Sequence, residues 1–143
     1  MSGPENRMVK RVQKGLLEHS VYSEKMNNIY RGGTPDLYIE GDLRIAWCEA
    51  KYDDLGRLSP GDPYPFNRAL KLLSPLQRSW GQRCIANGVR HLMLVGLSST
   101  TYAVHDNEGN ETLDPDVVQY VEVLNKAQTI KRLVYEVQKQ KET

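Results

Sequence analysis

The chain has 143 residues, of which 39% are hydrophobic and 26% are charged, which is the composition of an ordinary globular domain that buries one core. No apolar run approaches the roughly 18 to 20 residues needed to span a bilayer, and the first ten residues lack the apolar segment of a secretory signal. We therefore expect a cytoplasmic protein without a membrane partner. The formal net charge is only +1, whereas nucleic-acid-binding domains usually carry a basic excess, so charge alone does not decide the function.

The cysteines and histidines suggest no metal site of their own. Cys48 and Cys84 are far apart and not in a metal-binding spacing, so we expect free, buried thiols in a reducing compartment. The three histidines are scattered along the sequence, and we predict no zinc site.

The first predicted element is a helix from Pro4 to about His19, because apolar residues recur at helical spacing. These residues are Met8, Val12, Leu16 and Leu17. Residues 20–31 fit no single element, and a short strand near Val21 or Ile29 is compatible with them.

A hairpin follows the glycine pair at 32 and 33. Its strands are predicted over Asp36 to Glu40 and Leu43 to Tyr52, with a turn at Gly41-Asp42. Residues 53–73 are rich in proline and glycine and predict a long loop with at most a helical turn near Arg68 to Leu72. A loop of this length in a compact domain is usually a lid or a binding loop.

A second helix should begin at Ser74-Pro75, with serine as the N-cap, and end at Gly88 as a left-handed C-cap. The apolar run from His91 to Leu97 predicts a strand buried on both faces, and Thr101 to His105 predicts the next strand.

The last predicted element is a helical segment from Asp114-Pro115 to about residue 141. Its apolar positions step by three and four and are Tyr120, Val123, Ala127, Ile130, Val134 and Val137. The helix either covers the sheet or meets a second copy of the protein. The predicted order is α-β-β-(loop)-α-β-β-α in one domain, an α/β fold with a mixed sheet flanked by helices.

Three charged residues of the hairpin form a candidate site. Glu49 and Lys51 share a face of their strand, and the turn returns them to the level of Asp36. Two carboxylates and an ammonium suit a divalent metal that activates water against a phosphodiester. A solvent-exposed ion pair at the strand edge explains the same residues structurally, and the spacing alone leaves both interpretations open.

The motifs around this site resemble a known family. Pro35-Asp36 followed by Glu49-Ala50-Lys51 resembles the PD-(D/E)xK nuclease signature, and its context is similar to the VRR-Nuc branch found in small stand-alone phage and bacterial nucleases. The elements that match are G-x-PD, E-x-K and the L-S-P-x-Q that ends at Gln77. The similarity covers roughly residues 5–106, and it implies a restriction-endonuclease-like core. If a phage encodes the protein, its cytoplasm is that of the bacterial host.

The resemblance implies roles for individual residues. Asp36 and Glu49 would bind Mg²⁺, or Mn²⁺ as a substitute, together with the backbone carbonyl of Ala50, and Lys51 would be the catalytic lysine. Glu5 is the best match to a further metal ligand on the first helix, although a helix start favours an acidic residue for dipole reasons alone.

Gln77 has two explanations. The family implies that it supports the lysine or the attacking water. It also forms a capping box with Ser74. Because Gln77 shares a helix face with Trp80, Gly81 and Cys84, which should point inward, the sequence favours the role in the site.

Several basic residues near the site are predicted, as a group, to bind DNA phosphates, although any one of them alone is more often a solvated surface charge. They are Lys25, Arg31, Arg57, Arg68, Lys71, Arg78 and Arg83. Arg78 and Arg83 are expected on the outer side of the second helix. Phosphate contacts supply affinity without sequence information. Tyr52 and Tyr64 could stack on an unpaired base, but packing explains both equally well.

Taken with the resemblance, these features predict a Mg²⁺-dependent DNA endonuclease. A single small domain has little surface for base readout, so we expect it to select branched, flapped or four-way-junction DNA and to act as a homodimer. The alternatives are a catalytically inactive DNA-binding or assembly module with the same fold, and a sequence-specific restriction-type enzyme.

Overall fold

The computed structural model describes residues 3–26, 33–107 and 110–140, which form a mixed sheet with helices on both faces. The helices are α1 (Pro4–Glu18), α2 (Asn67–Lys71), α3 (Pro75–Ala86) and α4 (Lys126–Val137). The strands are β1 (Tyr22–Lys25), β2 (Leu37–Glu40), β3 (Ile45–Tyr52), β4 (Pro63–Pro65), β5 (Arg90–Gly96), β6 (Thr101–His105), β7 (Tyr120–Glu122) and β8 (Leu124–Asn125).

The main sheet has six strands in the order β1-β2-β3-β5-β6-β8, and β4 pairs with β7 in a second, two-stranded sheet. The pair β3 and β5 is parallel, whereas its neighbours in the sheet pair antiparallel. A parallel pair needs a crossover connection, and residues 53–89 supply it. The predicted mixed sheet with flanking helices is confirmed, and β3 lies in its centre.

The two faces of the sheet bury different sets of side chains. Ala46, Cys48 and Ala50 of β3 pack with residues of α1 and α4 in one hydrophobic cluster. Met93 and Val95 of β5 belong to the other cluster, which includes residues of α2. Because side chains alternate along a strand, the odd-numbered residues of β3 point to the second face, where α2 and α3 lie.

Helix α1 follows the sequence prediction closely. Pro4 lies in its first turn, and Met8, Val12 and Leu16 are buried against the sheet, whereas Leu17 is exposed. Gly15 is needed where α1 crosses α4, because a Cβ atom there would lie only 2.6 Å from Ile130 Cδ1. This close approach fixes α4 on the face of the sheet that α1 covers.

Both ends of α3 were predicted correctly. The Ser74 side chain accepts a hydrogen bond from the Gln77 backbone N–H, and Pro75 lies in the first turn. At the other end Gly88 has φ +72°, and the Val89 N–H donates to the Cys84 carbonyl at 2.8 Å. This is a Schellman cap, which glycine favours because it adopts positive φ without strain.

The predicted C-terminal helix over residues 114–141 begins too early. The helix starts at Lys126, where Asn125 and Gln128 form a capping box. Val121 instead pairs with Tyr64 in the two-stranded sheet, and Val123 is buried in the core while Tyr120 is exposed. Strand pairing with a distant segment therefore overrides a helical spacing of apolar residues. Of the predicted helix positions beyond 125, Ala127 is exposed and Ile130 and Val137 are buried.

Two further expectations concern the cysteines and the membrane. Cys48 and Cys84 are free and buried, as predicted. Within the described ranges, no helix combines the length and apolar character that a bilayer-spanning segment requires.

Candidate active site

The register of the hairpin brings Asp36 beside Glu49. Leu37 pairs with Cys48. Asp36, the residue before β2, therefore lies opposite Glu49, the residue after Cys48. The Asp36 carboxylate is fixed there because its Oδ2 accepts a hydrogen bond of 2.8 Å from the Ala50 backbone N–H. The two carboxylates thus meet at the C-terminal half of a central strand, and not at the outer edge of the sheet.

Glu49 is fully buried. Its Oε1 accepts a hydrogen bond of 3.1 Å from the Gln77 side-chain amide, whereas its Oε2 is buried without a hydrogen-bond partner among the described residues. Glu49 is therefore not part of a solvent-exposed ion pair at the strand edge, because α3 covers this part of the sheet. A buried, half-satisfied carboxylate is costly and points to a missing partner.

Burial and, after it, the hydrogen bond to and the charge of the adjacent Asp36 carboxylate raise the pKa of Glu49 to about 10. The positive charge of Lys51 lowers the pKa of Glu49, whereas the negative charge of Glu5 raises it. Without an additional positive charge, Glu49 therefore holds a proton at neutral pH. A cation bound between the two carboxylates would favour the ionised form.

Gln77 forms the predicted capping box, and its side chain also contacts Glu49 rather than the predicted Lys51. Its side-chain oxygen accepts a hydrogen bond of 2.9 Å from the Ser74 backbone N–H, while its amide nitrogen donates to Glu49. The cap uses the oxygen, so the NH₂ group must face Glu49. The start of α3 thus orients the glutamine toward the carboxylate.

Gly33 connects the turn before Asp36 to the same helix start. Its φ is +88°, and a Cβ atom would lie 2.5 Å from the Leu76 backbone oxygen. Only glycine combines this conformation with so close an approach. The turn that precedes Asp36 and the first turn of α3, which carries Gln77, are therefore packed directly on one another.

Lys51 lies one step further along β3, on the same face as Glu49 and half-buried, and pairs in register with Val95 of β5. Glu5 is exposed in the first turn of α1. Among the described residues, no group of three His, Cys, Asp or Glu side chains could hold a metal ion. The metal-ligand roles assigned to Asp36, Glu49, Ala50 and Glu5 therefore all stay predictions.

The residues predicted to bind DNA occupy different environments. Lys25 is exposed, and its Nζ donates a hydrogen bond to Asn6. The next residue, Met26, donates its backbone N–H to the Asp36 carbonyl. Arg57 and Lys71 are exposed. Arg83 is exposed and lies over the Trp80 ring, 4.5 Å from its centroid. Arg31 lies outside the described residues.

Arg78 is not on the outer side of α3, as the sequence suggested. It is half-buried, and its Nη2 donates to the Leu70 carbonyl at 2.9 Å. That carbonyl lies in the last turn of α2, where it also accepts a hydrogen bond of 3.3 Å from the Leu73 backbone N–H. Arg78 therefore joins α2 to α3.

Sequence reasoning missed Asp53, which follows β3 directly. Its carboxylate accepts hydrogen bonds of 2.8 Å from both the Tyr64 hydroxyl and Arg68 Nε, and of 3.0 Å from Arg68 Nη2. The signal was present in the alternation of Glu49, Lys51 and Asp53 along one face. Tyr64 is fully buried, which excludes it as a stacking surface for a base.

The comparisons with known proteins bear on the fold. No family model and no curated protein matches the sequence. The fold is similar to that of Hjc, a Holliday junction resolvase from the archaeal hyperthermophile Archaeoglobus fulgidus, with a TM-score of 0.51 at 10% sequence identity. The similarity covers 87% of this chain and 98% of that chain, and it shows that the two proteins share an architecture.

Proposed function

We propose that this protein is a metal-dependent DNA endonuclease of the PD-(D/E)xK class, VRR-Nuc type, which hydrolyses phosphodiester bonds in branched DNA. One observation carries the proposal: Asp36 and Glu49 meet at the end of a central strand, and Glu49 Oε2 is buried without a partner among the described residues. A structural carboxylate would have its counter-charge nearby, whereas a ligand leaves a lone pair for a cation.

The donor set fits a hard divalent cation. Asp36, Glu49 and the Ala50 carbonyl would hold Mg²⁺ or Mn²⁺, because carboxylate and carbonyl oxygens are the ligands that these ions prefer. The N–H and C=O of a strand residue leave the strand on the same side, and the Ala50 N–H already bonds to Asp36. Such an ion supplies a nucleophile at neutral pH and neutralises charge on the phosphate.

Side chains of the protein would position the attacking water, the phosphate and the metal ligands. Lys51 would hold the attacking water or accept its proton, and its positive charge would stabilise the phosphate oxygens as negative charge develops there. Gln77 would keep Glu49 in one orientation, since its amide oxygen is fixed by the helix cap. Asp36 would be held by the Ala50 N–H. All three positions are chemically intact for this role.

The fold supports branched DNA as the substrate, because it is similar to that of a Holliday junction resolvase over nearly the full length of both chains. A junction offers two symmetric strands, so we propose a homodimer that contacts its copy through α4. Tyr135 on α4 is 60% exposed, which suits such a contact. The exposed basic residues Lys25, Arg57, Lys71 and Arg83 would contribute phosphate contacts.

The test is cleavage of labelled linear, flapped and four-way-junction DNA with Mg²⁺ or Mn²⁺, comparing the wild type with Lys51→Ala. We expect metal-dependent cutting of branched DNA that the variant loses. Lys14→Ala on α1 is a control, because it removes an exposed lysine that has no part in the proposed site, the phosphate contacts or the dimer helix.

The same assay separates the alternatives. Binding of DNA without cutting, by folded and metal-loaded protein, would indicate an inactive nuclease-fold module. Discrete fragments from long linear DNA would indicate a sequence-specific enzyme. Either result would contradict the proposal.

A further inference from the structure

A second polar cluster lies next to the proposed active site and is not explained by it. Asp53, Tyr64 and Arg68 join the end of β3 to β4 and α2. The Asp53 side chain is 12% exposed and that of Arg68 is 48% exposed. The buried carboxylate thus holds a guanidinium that reaches the surface.

The hydrogen bonds define which edge of Arg68 remains available. Nε and Nη2 each donate one hydrogen to the two oxygens of Asp53, at 2.8 Å and 3.0 Å. A guanidinium has five N–H donors in a fixed fork. The two hydrogens of Nη1 and one of Nη2 are therefore not used by Asp53, and they form a second edge.

The buried hydroxyl of Tyr64 alone does not explain this arrangement. The Tyr64 hydroxyl needs one acceptor and has it in Asp53 Oδ2 at 2.8 Å. A two-point contact from an arginine goes beyond that requirement. Its effect is to fix the guanidinium plane, because a bidentate pair sets orientation as well as distance.

The position of the cluster relates it to the scissile bond. The Asp53 N–H continues the β3–β5 hydrogen bonding by donating to the Gly96 carbonyl at 2.9 Å. Glu49, Lys51 and Asp53 therefore form one row on the α2/α3 face. Residues two apart on a strand are spaced by about 6.6 Å, which is comparable to the distance between neighbouring phosphates of an extended DNA strand.

We propose that Arg68, oriented by Asp53 and Tyr64, binds the phosphate that neighbours the scissile one. The ligand is the phosphodiester backbone of the cut strand, and its recognition carries no base specificity. Arg68 is then a binding residue, whereas Asp53 and Tyr64 are positioning residues. The inference rests on the nuclease function proposed above.

The test measures binding separately from cutting. Affinity for a labelled four-way junction is measured over a range of salt concentrations in a Lys51→Ala background, with and without Arg68→Gln. We expect about tenfold weaker binding at low salt and a salt slope that is shallower by about 0.7 to 0.9, the loss of one phosphate contact. Arg44→Gln, at the other end of β3, is the matched control and should preserve the affinity.

Two further variants separate positioning from folding. Tyr64→Phe keeps the buried ring and removes the hydroxyl that helps to orient Asp53, so it should weaken binding about threefold. Arg68→Lys keeps the charge but loses the fork, so it should bind weakly while it retains the salt slope. Thermal unfolding of each variant confirms that it is folded.

The outcomes distinguish this proposal from the proposed function. If the wild type cuts branched DNA, yet Arg68→Gln binds with unchanged affinity and slope, the phosphate contact is wrong and the nuclease stands. If wild-type protein neither binds nor cuts any of the DNA substrates, both proposals fail together.

Discussion

Two buried glutamates of this protein differ in the charged groups that surround them. Glu136 on α4 is 5% exposed and forms salt bridges with Arg90, at 3.2 Å, and with Arg132. Glu49 is fully buried, has an amide on one oxygen, a second carboxylate beside it and an oxygen without a partner among the described residues.

The comparison shows what a structural carboxylate requires. The fold supplies two guanidinium groups to Glu136 and also to the neighbouring Asp106. It supplies no such pair to Glu49, whose pKa is raised to about 10 by burial and by Asp36. A buried charge without a counter-charge is unfavourable. We interpret the Glu49 site as one whose cation comes from solution.

The largest expected effect is on cleavage. Glu49→Gln and Lys51→Ala should each lower the rate of junction cutting by about 10²- to 10⁴-fold, because Glu49 would hold the cation and Lys51 would act on the attacking water and the phosphate. Glu136→Gln, made at the other buried glutamate, should leave the rate of folded enzyme within about threefold of wild type. Single-turnover cleavage checks all three. Equal losses of cleavage rate in Glu49→Gln and Glu136→Gln would contradict the assignment of Glu49 to the site and of Glu136 to the structure.

The free energy of unfolding should fall in Glu136→Gln and rise in Glu49→Gln, the opposite of their order in cleavage. Glu136→Gln should lower the free energy of unfolding by about 2 kcal/mol, a value discounted for the partial exposure of the two arginines. Glu49→Gln should stabilise the metal-free protein at neutral pH, since a neutral amide replaces a carboxyl whose charge is disfavoured there. Urea unfolding in EDTA measures both changes. Destabilisation by Glu49→Gln would contradict the account.

The pH dependence of the Glu49 effect has a definite sign. The pKa of Glu49 in the folded protein lies above its ordinary value of 4.5, so its stabilising contribution is complete below pH 4.5 and is lost as the pH rises toward 10. The advantage of Glu49→Gln over metal-free wild type should therefore grow between pH 5 and 8. A constant difference would show that the carboxyl does not titrate as proposed.

His91 extends the comparison to a buried base. It is 1% exposed, its Nδ1 lies 2.9 Å from the Asn107 amide nitrogen, and burial lowers its pKa from 6.5 to about 4. A lowered pKa contributes stability that is present above pH 6.5 and lost as the pH falls toward 4. Unfolding should become easier by about 2 kcal/mol between pH 7 and 4.5.

His91→Gln should abolish that part of the acid sensitivity. Urea unfolding curves at a series of pH values for the two proteins give the result directly. A variant with the same slope below pH 6.5 as the wild type would show that His91 is not its source.

The smallest expected effect separates the two roles of Gln77. Gln77→Glu keeps the capping box, since glutamate also serves at this position, but it places a third carboxylate against Glu49. We expect about a tenfold loss of cleavage with little loss of stability. Ser74→Ala should do the opposite and cost about 1 kcal/mol of stability with cleavage retained. If Gln77→Glu cut at the wild-type rate, the glutamine would only be a cap.

The sequence predicted the parts of this molecule that local rules determine. The hairpin that brings Asp36 to Glu49 was predicted, although its connection is the four residues 41–44 between Glu40 and Ile45 rather than a turn at Gly41-Asp42 alone. Ser74-Pro75 and Gly88 set the two ends of α3. In each case the turn or cap chemistry acts within a few residues. The capping box of Gln77 was also predicted, whereas its contact with Glu49 was not.

The errors arose where distant residues decide the outcome. The helical spacing of Tyr120 and Val123 was overridden when Val121 paired with Tyr64, a residue 57 positions earlier. The burial of Glu49 depends on the packing of α3 over the sheet, which strand alternation does not show. Arg78 was placed outside because the Leu70 carbonyl that it contacts belongs to a helix inside a predicted loop.

The most direct test of the central claim is calorimetric titration of Mn²⁺ into metal-free protein, with wild type, Glu49→Gln and Glu136→Gln compared at one pH. The account predicts that wild type and Glu136→Gln bind the ion at the Asp36–Glu49 site, whereas Glu49→Gln loses that binding. Undiminished binding by Glu49→Gln, or none by folded wild type, would contradict it.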